Sequence, residues 1–164
     1  MSTTTAIEPS TASTEQPLTL HITRVIRASR ERVFDAWTRP EQLRQWYAPG
    51  GLRVAELQVD ATPGADYCVT MQGVPPSRPD SESVTVHAKG TYKEIVPHSL
   101  ISFTWSGDWK PGEETIITIR LSDVEGGTLL DFTQETFIFP DSATGYNIGW
   151  NSSITKLETL LAKK

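Results

Sequence analysis

From Leu52 to Phe139 the chain keeps returning to an apolar period of two, and beyond residue 140 it changes once to the spacing of a helix. Alternation places every second side chain on one face, so each such stretch is a strand with one side in a core. Six are legible: Leu52–Asp60, Tyr67–Gln72, Val84–Val96, Leu100–Ser106, Glu114–Ser122 and Thr128–Phe139. Turn chemistry separates them, with Thr62-Pro63-Gly64 at one junction and Glu125-Gly126-Gly127 at a hairpin. Val74-Pro75-Pro76-Ser77-Arg78-Pro79 denies amide donors to a ladder and predicts an exposed, mobile loop. Ile148, Ile154, Leu157, Leu160 and Leu161 form the one long apolar helix stripe, over about Ser142 to Ala162. A sheet of this width must bury a face, so it is expected to curl round that helix and enclose a cavity.

The chain ahead of Leu52 supplies the remaining elements. Leu18, Leu20 and Ile22 alternate with Thr19, His21 and Thr23, which predicts the first strand. Ser29 stands where a helix N-cap would, ahead of Val33, Phe34 and Trp37 at helical spacing. Pro40 ends that helix and opens a second short one, Glu41 to Trp46, which stops at Pro49-Gly50-Gly51. The fold class expected is α+β: a seven-stranded curved antiparallel sheet wrapped around a long C-terminal helix, with two short helices after strand 1. Residues 1–16, almost all Ser, Thr, Ala and Glu, are expected to be a disordered tail, and 17–164 the folded domain.

Charge and cysteine content exclude several functions. Fifteen Lys and Arg against twenty Asp and Glu leave the chain at −5, against the basic footprint of a nucleic-acid binder. No apolar run approaches the roughly 18 residues of a membrane span, and the start lacks the basic and apolar regions of a secretory signal. Cys68 has no partner for a bridge, which fits a reducing, cytoplasmic setting. His21, His87 and His98 are scattered and, with one cysteine, do not supply a zinc site. No nucleophile–base–orienter trio is visible, and no cofactor or metal is expected. Glu113-Glu114 reads as a solvated turn; Asp60 and Asp131 are general-base candidates for which a surface or turn-capping role is the leading expectation.

The bulky parity of each strand gives an inner face containing Tyr67, Met71, Tyr92, Phe103, Trp105 and Phe132, and one polar residue, Gln134. A buried amide must meet a partner, a buried water or a ligand, and Tyr146 or backbone is the leading expectation. Of the five tryptophans, Trp37 and Trp150 sit at helical spacing and read as core, whereas Trp46-Tyr47 and Trp109 precede Pro-Gly loops at a cavity mouth. The candidate ligand-binding residues are therefore Trp46, Tyr67, Met71, Tyr92, Phe103, Trp105, Trp109, Phe132, Gln134, Tyr146 and Trp150. No residue is assigned a catalytic role.

The stretch from Ile22 through Val33-Phe34, Trp37, Pro40, Trp46-Tyr47-Ala48-Pro49-Gly50 resembles the opening signature of START-like (SRPBCC) proteins related to the activator of the 90-kDa heat-shock chaperone's ATPase. Val59-Asp60-Ala61-Thr62-Pro63-Gly64, then Gly90-Thr91-Tyr92-Lys93-Glu94-Ile95-Val96-Pro97, then Gly149-Trp150 with Ile154 and Leu157, follow in the family's order. The resemblance spans about Leu18 to Leu161. The chain departs from the family at Ala65, where a second glycine is frequent, and at Tyr146, where a histidine is frequent. The resemblance implies a helix-grip (Bet v-like) fold, and three functions are carried forward, the first from the apolar inner face and the other two from the resemblance. The first is a cavity for an apolar, aromatic or lipid-like small molecule. The second is a co-chaperone-like module in stress response, ranked lower because the family's chaperone activators carry a further N-terminal domain. The third is an enzyme of cyclase or aromatase type, with Tyr146, Gln134 and Tyr92 as the groups to mutate. A hydrophobic small molecule, a chaperone and a second copy in a homodimer are the partners carried forward.

Overall fold

The computed structural model describes residues 19–75, 78–139 and 141–162. The N-terminal tail, Leu18, Pro76 and Ser77 of the proline loop, and Pro140 lie outside the described residues. Elements run in the order β1 (Leu20–Ile26), α1 (Arg30–Thr38), α2 (Pro40–Trp46), β2 (Gly51–Gln58), β3 (Asp66–Val74), β4 (Val84–Val96), β5 (Leu100–Gly107), β6 (Thr115–Val124), β7 (Gly127–Glu135) and α3 (Ser142–Ala162). The seven strands form one sheet in the order β1-β7-β6-β5-β4-β3-β2, and every neighbouring pair is antiparallel. The sheet curls as a half-barrel with α3 in its grip, the helix-grip α+β arrangement expected from the sequence.

Local chemistry explains the boundaries. The Ser29 hydroxyl accepts from the Arg32 amide at 3.2 Å and caps α1. Arg39 is extended because the proline ring after it disfavours the helical region, and Pro40 then starts α2. The Trp46 indole donates to the Ala36 carbonyl at 2.9 Å and ties the two short helices together. On α3, beyond Ser142 at its first position, the buried residues are Trp150, Ser153, Ile154, Leu157 and Leu161, a helical spacing that meets the inner sheet face.

The inner face follows the expected parity, with Tyr67, Val69, Met71, Ala88, Tyr92, Ile101, Phe103, Trp105, Ile117, Ile119, Leu121, Leu130, Phe132 and Gln134 all buried. Pairing between β4 and β5 is interrupted between Lys89↔Ser106 and Tyr92↔Phe103. There the Tyr67 ring lies over Gly90, its hydroxyl donates to the Thr104 carbonyl at 2.8 Å, and the Thr91 amide donates to Thr104 Oγ1 at 2.9 Å. The bulge that follows between Tyr92 and Glu94 adds the local bend a curled sheet needs.

Two expectations are corrected. The last strand stops at Glu135, short of Phe139, because Thr136 adopts a positive φ of 69° that turns the backbone out of the ladder. Ile148 does not join the buried stripe; it is 44% exposed. It precedes Ile154 by six residues, about one and two-thirds turns, which puts it on the far side of the helix.

Candidate functional site

A cavity of about 410 Å³ lies between α3, the loop after α2 and the β3, β4 and β5 side of the sheet. Its apolar wall is made by Leu52, Met71, Val86, Trp105, Trp109, Tyr146 and Trp150. Trp105, at the end of β5, is the hub. Its ring meets Tyr146 edge-on at 5.0 Å, Trp109 at 5.6 Å and Trp150 at 6.0 Å between centroids. Trp109 can fold back on the strand it has just left because Gly107 has no side chain: a Cβ there would meet the indole at 2.5 Å. Tyr47, from the loop after α2, packs edge-on against Trp150 at 5.6 Å and accepts a hydrogen bond from the Trp105 indole at 2.9 Å. Burial, slightly relieved by that bond, raises the Tyr47 phenol above its ordinary value. Burial likewise raises Tyr146.

Charge is confined to the mouth. Arg78, Lys110 and Asp141 contribute to the lining, and Lys110 Nζ donates to Asp141 Oδ1 at 2.8 Å while standing 5.1 Å above the Phe139 ring. The Lys110 hydrogen bond holds the Asp141 carboxyl below the usual carboxylate range. Just behind them Glu113, expected as a solvated turn residue, is instead 3% exposed. Its carboxylate accepts from the Ile138 amide at 2.8 Å, the Phe139 amide at 3.0 Å and the Ser142 hydroxyl at 2.8 Å. The strand that ended early at Glu135 explains this: residues leaving the ladder need other acceptors, and Glu113 supplies them.

Of the eleven candidate ligand-binding residues, the structure brings five to the cavity wall: Met71, Trp105, Trp109, Tyr146 and Trp150. The other six pack elsewhere in the core. Trp46 is bonded to Ala36, and its chain neighbour Tyr47 lines the cavity instead, since adjacent helical positions point about 100° apart. Tyr67, Tyr92 and Phe103 cluster together at centroid separations of 5.4 to 5.7 Å, away from the cavity lining. Phe132 packs on Trp150 at 5.0 Å from the β7 side. Gln134 donates to Thr115 Oγ1 at 2.9 Å, not to Tyr146 or backbone, because Thr115 faces it from β6 and passes its own proton to the Trp105 carbonyl. Arg78, Lys110, Ser142 and Ser153 also line the wall and carry no sequence signal beyond their place in loops or on the helix face.

The histidines serve the outer surface and a turn. His21 pairs with Asp131 at 2.7 Å, His87 with Asp108 at 2.8 Å, and His98 takes a positive φ and packs on Phe34. Among the described residues no group of His, Cys, Asp and Glu stands close enough to hold a metal ion, and no helix is long and apolar enough to cross a membrane.

A family model described as Activator of Hsp90 ATPase homolog 1-like protein matches residues 27–162. No curated protein matches this chain. Among solved structures, protein CV1439 from Chromobacterium violaceum is 28% identical with a TM-score of 0.75, over 87% of this chain and 96% of that one. The AHSA1 (SPO3351) protein from Silicibacter pomeroyi is 22% identical with a TM-score of 0.76, over 88% of this chain and 97% of that one. DynU16, a protein of the dynemicin biosynthetic locus, is 18% identical with a TM-score of 0.68, over 88% of this chain and 47% of that one. The last two likenesses are of fold.

Proposed function

The chain belongs to the family of Activator of Hsp90 ATPase homolog 1-like proteins, and from that premise we propose that it is a cytoplasmic binding protein for an apolar or aromatic small molecule. The observation that supports this is the cavity of about 410 Å³ walled by Trp105, Trp109, Tyr146, Trp150 and Met71. Its size is within the range of about 300–1,000 Å³ in which proteins hold small ligands, and its composition, apolar with a few convergent polar groups, is that of such sites. Flat ring systems match it best, because edge-on aromatic contacts reward a ligand that offers faces and edges in turn.

Thermal-shift screening with lipids and aromatic polyketides tests the reading. A ligand class that raises the melting temperature in proportion to the logarithm of its concentration supports it. Absence of any shift across both classes refutes it.

The enzymatic reading names Tyr146, Gln134 and Tyr92 as the groups to mutate, and of these Tyr146 lines the cavity. The chaperone reading draws on the family's description alone; a pull-down retrieving the 90-kDa chaperone would put it first.

A further inference from the structure

The hydrogen bond between Trp105 and Tyr47 has a fixed direction. An indole nitrogen carries one hydrogen and no available lone pair, so Trp105 can only donate. The 2.9 Å contact therefore occupies the Tyr47 oxygen as an acceptor and leaves the phenol's own hydrogen to be placed elsewhere. Among the described residues none accepts it. Burial keeps the phenol protonated far above neutral pH, so the hydrogen is always present. A buried donor without a partner carries a desolvation penalty that a ligand oxygen would remove.

Of the other hydroxyls on the wall, the two serines are committed as donors, and Tyr146 is a second phenol. Ser153 donates to the Tyr47 carbonyl and Ser142 to Glu113, each at 2.8 Å. The cations at the mouth, Arg78 and Lys110, are donors too.

We propose that the cavity selects an aromatic ligand bearing an acceptor oxygen, of the aryl ketone or quinone class, whose carbonyl accepts the Tyr47 hydrogen. The proposal rests on the cavity reading above and adds that Tyr47 decides the ligand's polarity. Trp105 acts through Tyr47: its donated hydrogen bond polarises the phenol and makes it a better donor to the next group in line.

The test uses 9-fluorenone and fluorene, which share one flat ring system and differ in a carbonyl against a methylene. In wild-type protein the carbonyl stretching band of bound 9-fluorenone should fall to lower frequency than in an apolar solvent. The Tyr47→Phe protein should return the band to its apolar position and weaken 9-fluorenone binding about five- to tenfold, while fluorene changes by less than about twofold. Trp105→Phe frees the Tyr47 lone pair, so 9-fluorenol, which can donate, should gain on 9-fluorenone. An unshifted band in the wild-type protein, which needs no substitution, overturns the proposal. So does equal weakening of both probes by Tyr47→Phe, which a structural role would produce, or an unchanged fluorenol preference in Trp105→Phe. Fluorene binding without any Tyr47 effect on 9-fluorenone sinks the acceptor proposal; failure of both probes to bind wild-type protein sinks it too, while the cavity reading stands or falls on the lipid and polyketide screen.

Discussion

Glu113 and Ser142 meet at 2.8 Å, the carboxylate coming from the turn before β6 and the hydroxyl from the first residue of α3. With the Ile138 and Phe139 amides bonded to its other oxygen, Glu113 ties the β5–β6 turn to the segment that feeds the long helix. Both tied segments contribute residues to the cavity mouth: Trp109 and Lys110 on one side, Asp141 and Ser142 on the other.

Glu113→Ala should lower stability by about 2–4 kcal/mol, because it strands a buried hydroxyl and two part-buried amides. In thermal unfolding that is a fall of about 5–15 °C for a chain of this size. Glu113→Gln, which keeps an acceptor oxygen, should cost less than half as much. An alanine variant that melts within about 2 °C of wild type would show that water replaces the carboxylate.

Gly90→Ala should be among the worst single changes in the sheet. A Cβ at Gly90 would overlap the Thr104 carbonyl oxygen and come within 2.8 Å of the Tyr67 ring, and the carbonyl is backbone that cannot step aside. A loss of about 3 kcal/mol or more follows, measured by urea unfolding. Tyr67→Phe in the same background should recover none of it, since the clash with Thr104 remains.

At Gly145 the outcome reverses. A Cβ there has nothing within 4 Å, and the residue is on α3 without a positive φ. Gly145→Ala should therefore stabilise by about 0.5–1 kcal/mol through helix propensity. Because Gly145 also lines the cavity, Gly145→Leu should weaken a cavity ligand while leaving the protein at least as stable; unchanged affinity would place the ligand elsewhere.

High pH should unfold the protein through its tyrosines. Burial raises the phenols of Tyr47, Tyr67 and Tyr92 above their ordinary value of 10.0. The unfolded chain then loses those protons first, so the stability they contribute is complete below about pH 10 and is lost as pH rises towards the folded values. Each adds up to about 1.4 kcal/mol of loss per pH unit. Lys156 opposes this weakly, because burial lowers its amine below 10.5 and stability rises with pH across that narrower window. Ultraviolet titration should show these phenols ionising together with the unfolding transition. Independent ionisation at pH 10 in a folded protein would contradict it.

The family resemblance was carried by short motifs whose residues do different work in three dimensions. Pro40 and Ser29 set helix ends by local sterics and capping, so they were legible directly. Trp46-Tyr47 was legible as a pair, but which of the two enters the cavity depends on how α2 leans on α1 through the Trp46–Ala36 bond. Tyr67, Tyr92 and Phe103 shared the inward parity of Trp105, yet they fill the core at a distance from the cavity, because parity names a face and not a position along it.

Periodicity and turn residues by themselves determined seven strands, three helices, the buried side of most strands and the class of fold, since these follow from side-chain direction along a local backbone. The burial of Glu113, the early end of β7 at Thr136, the Thr115 partner of Gln134 and the Tyr47–Trp105 bond were decided by tertiary structure alone. Each depends on which polar groups from distant segments arrive within 3 Å of one another, and a buried donor or acceptor takes whichever partner the packing brings.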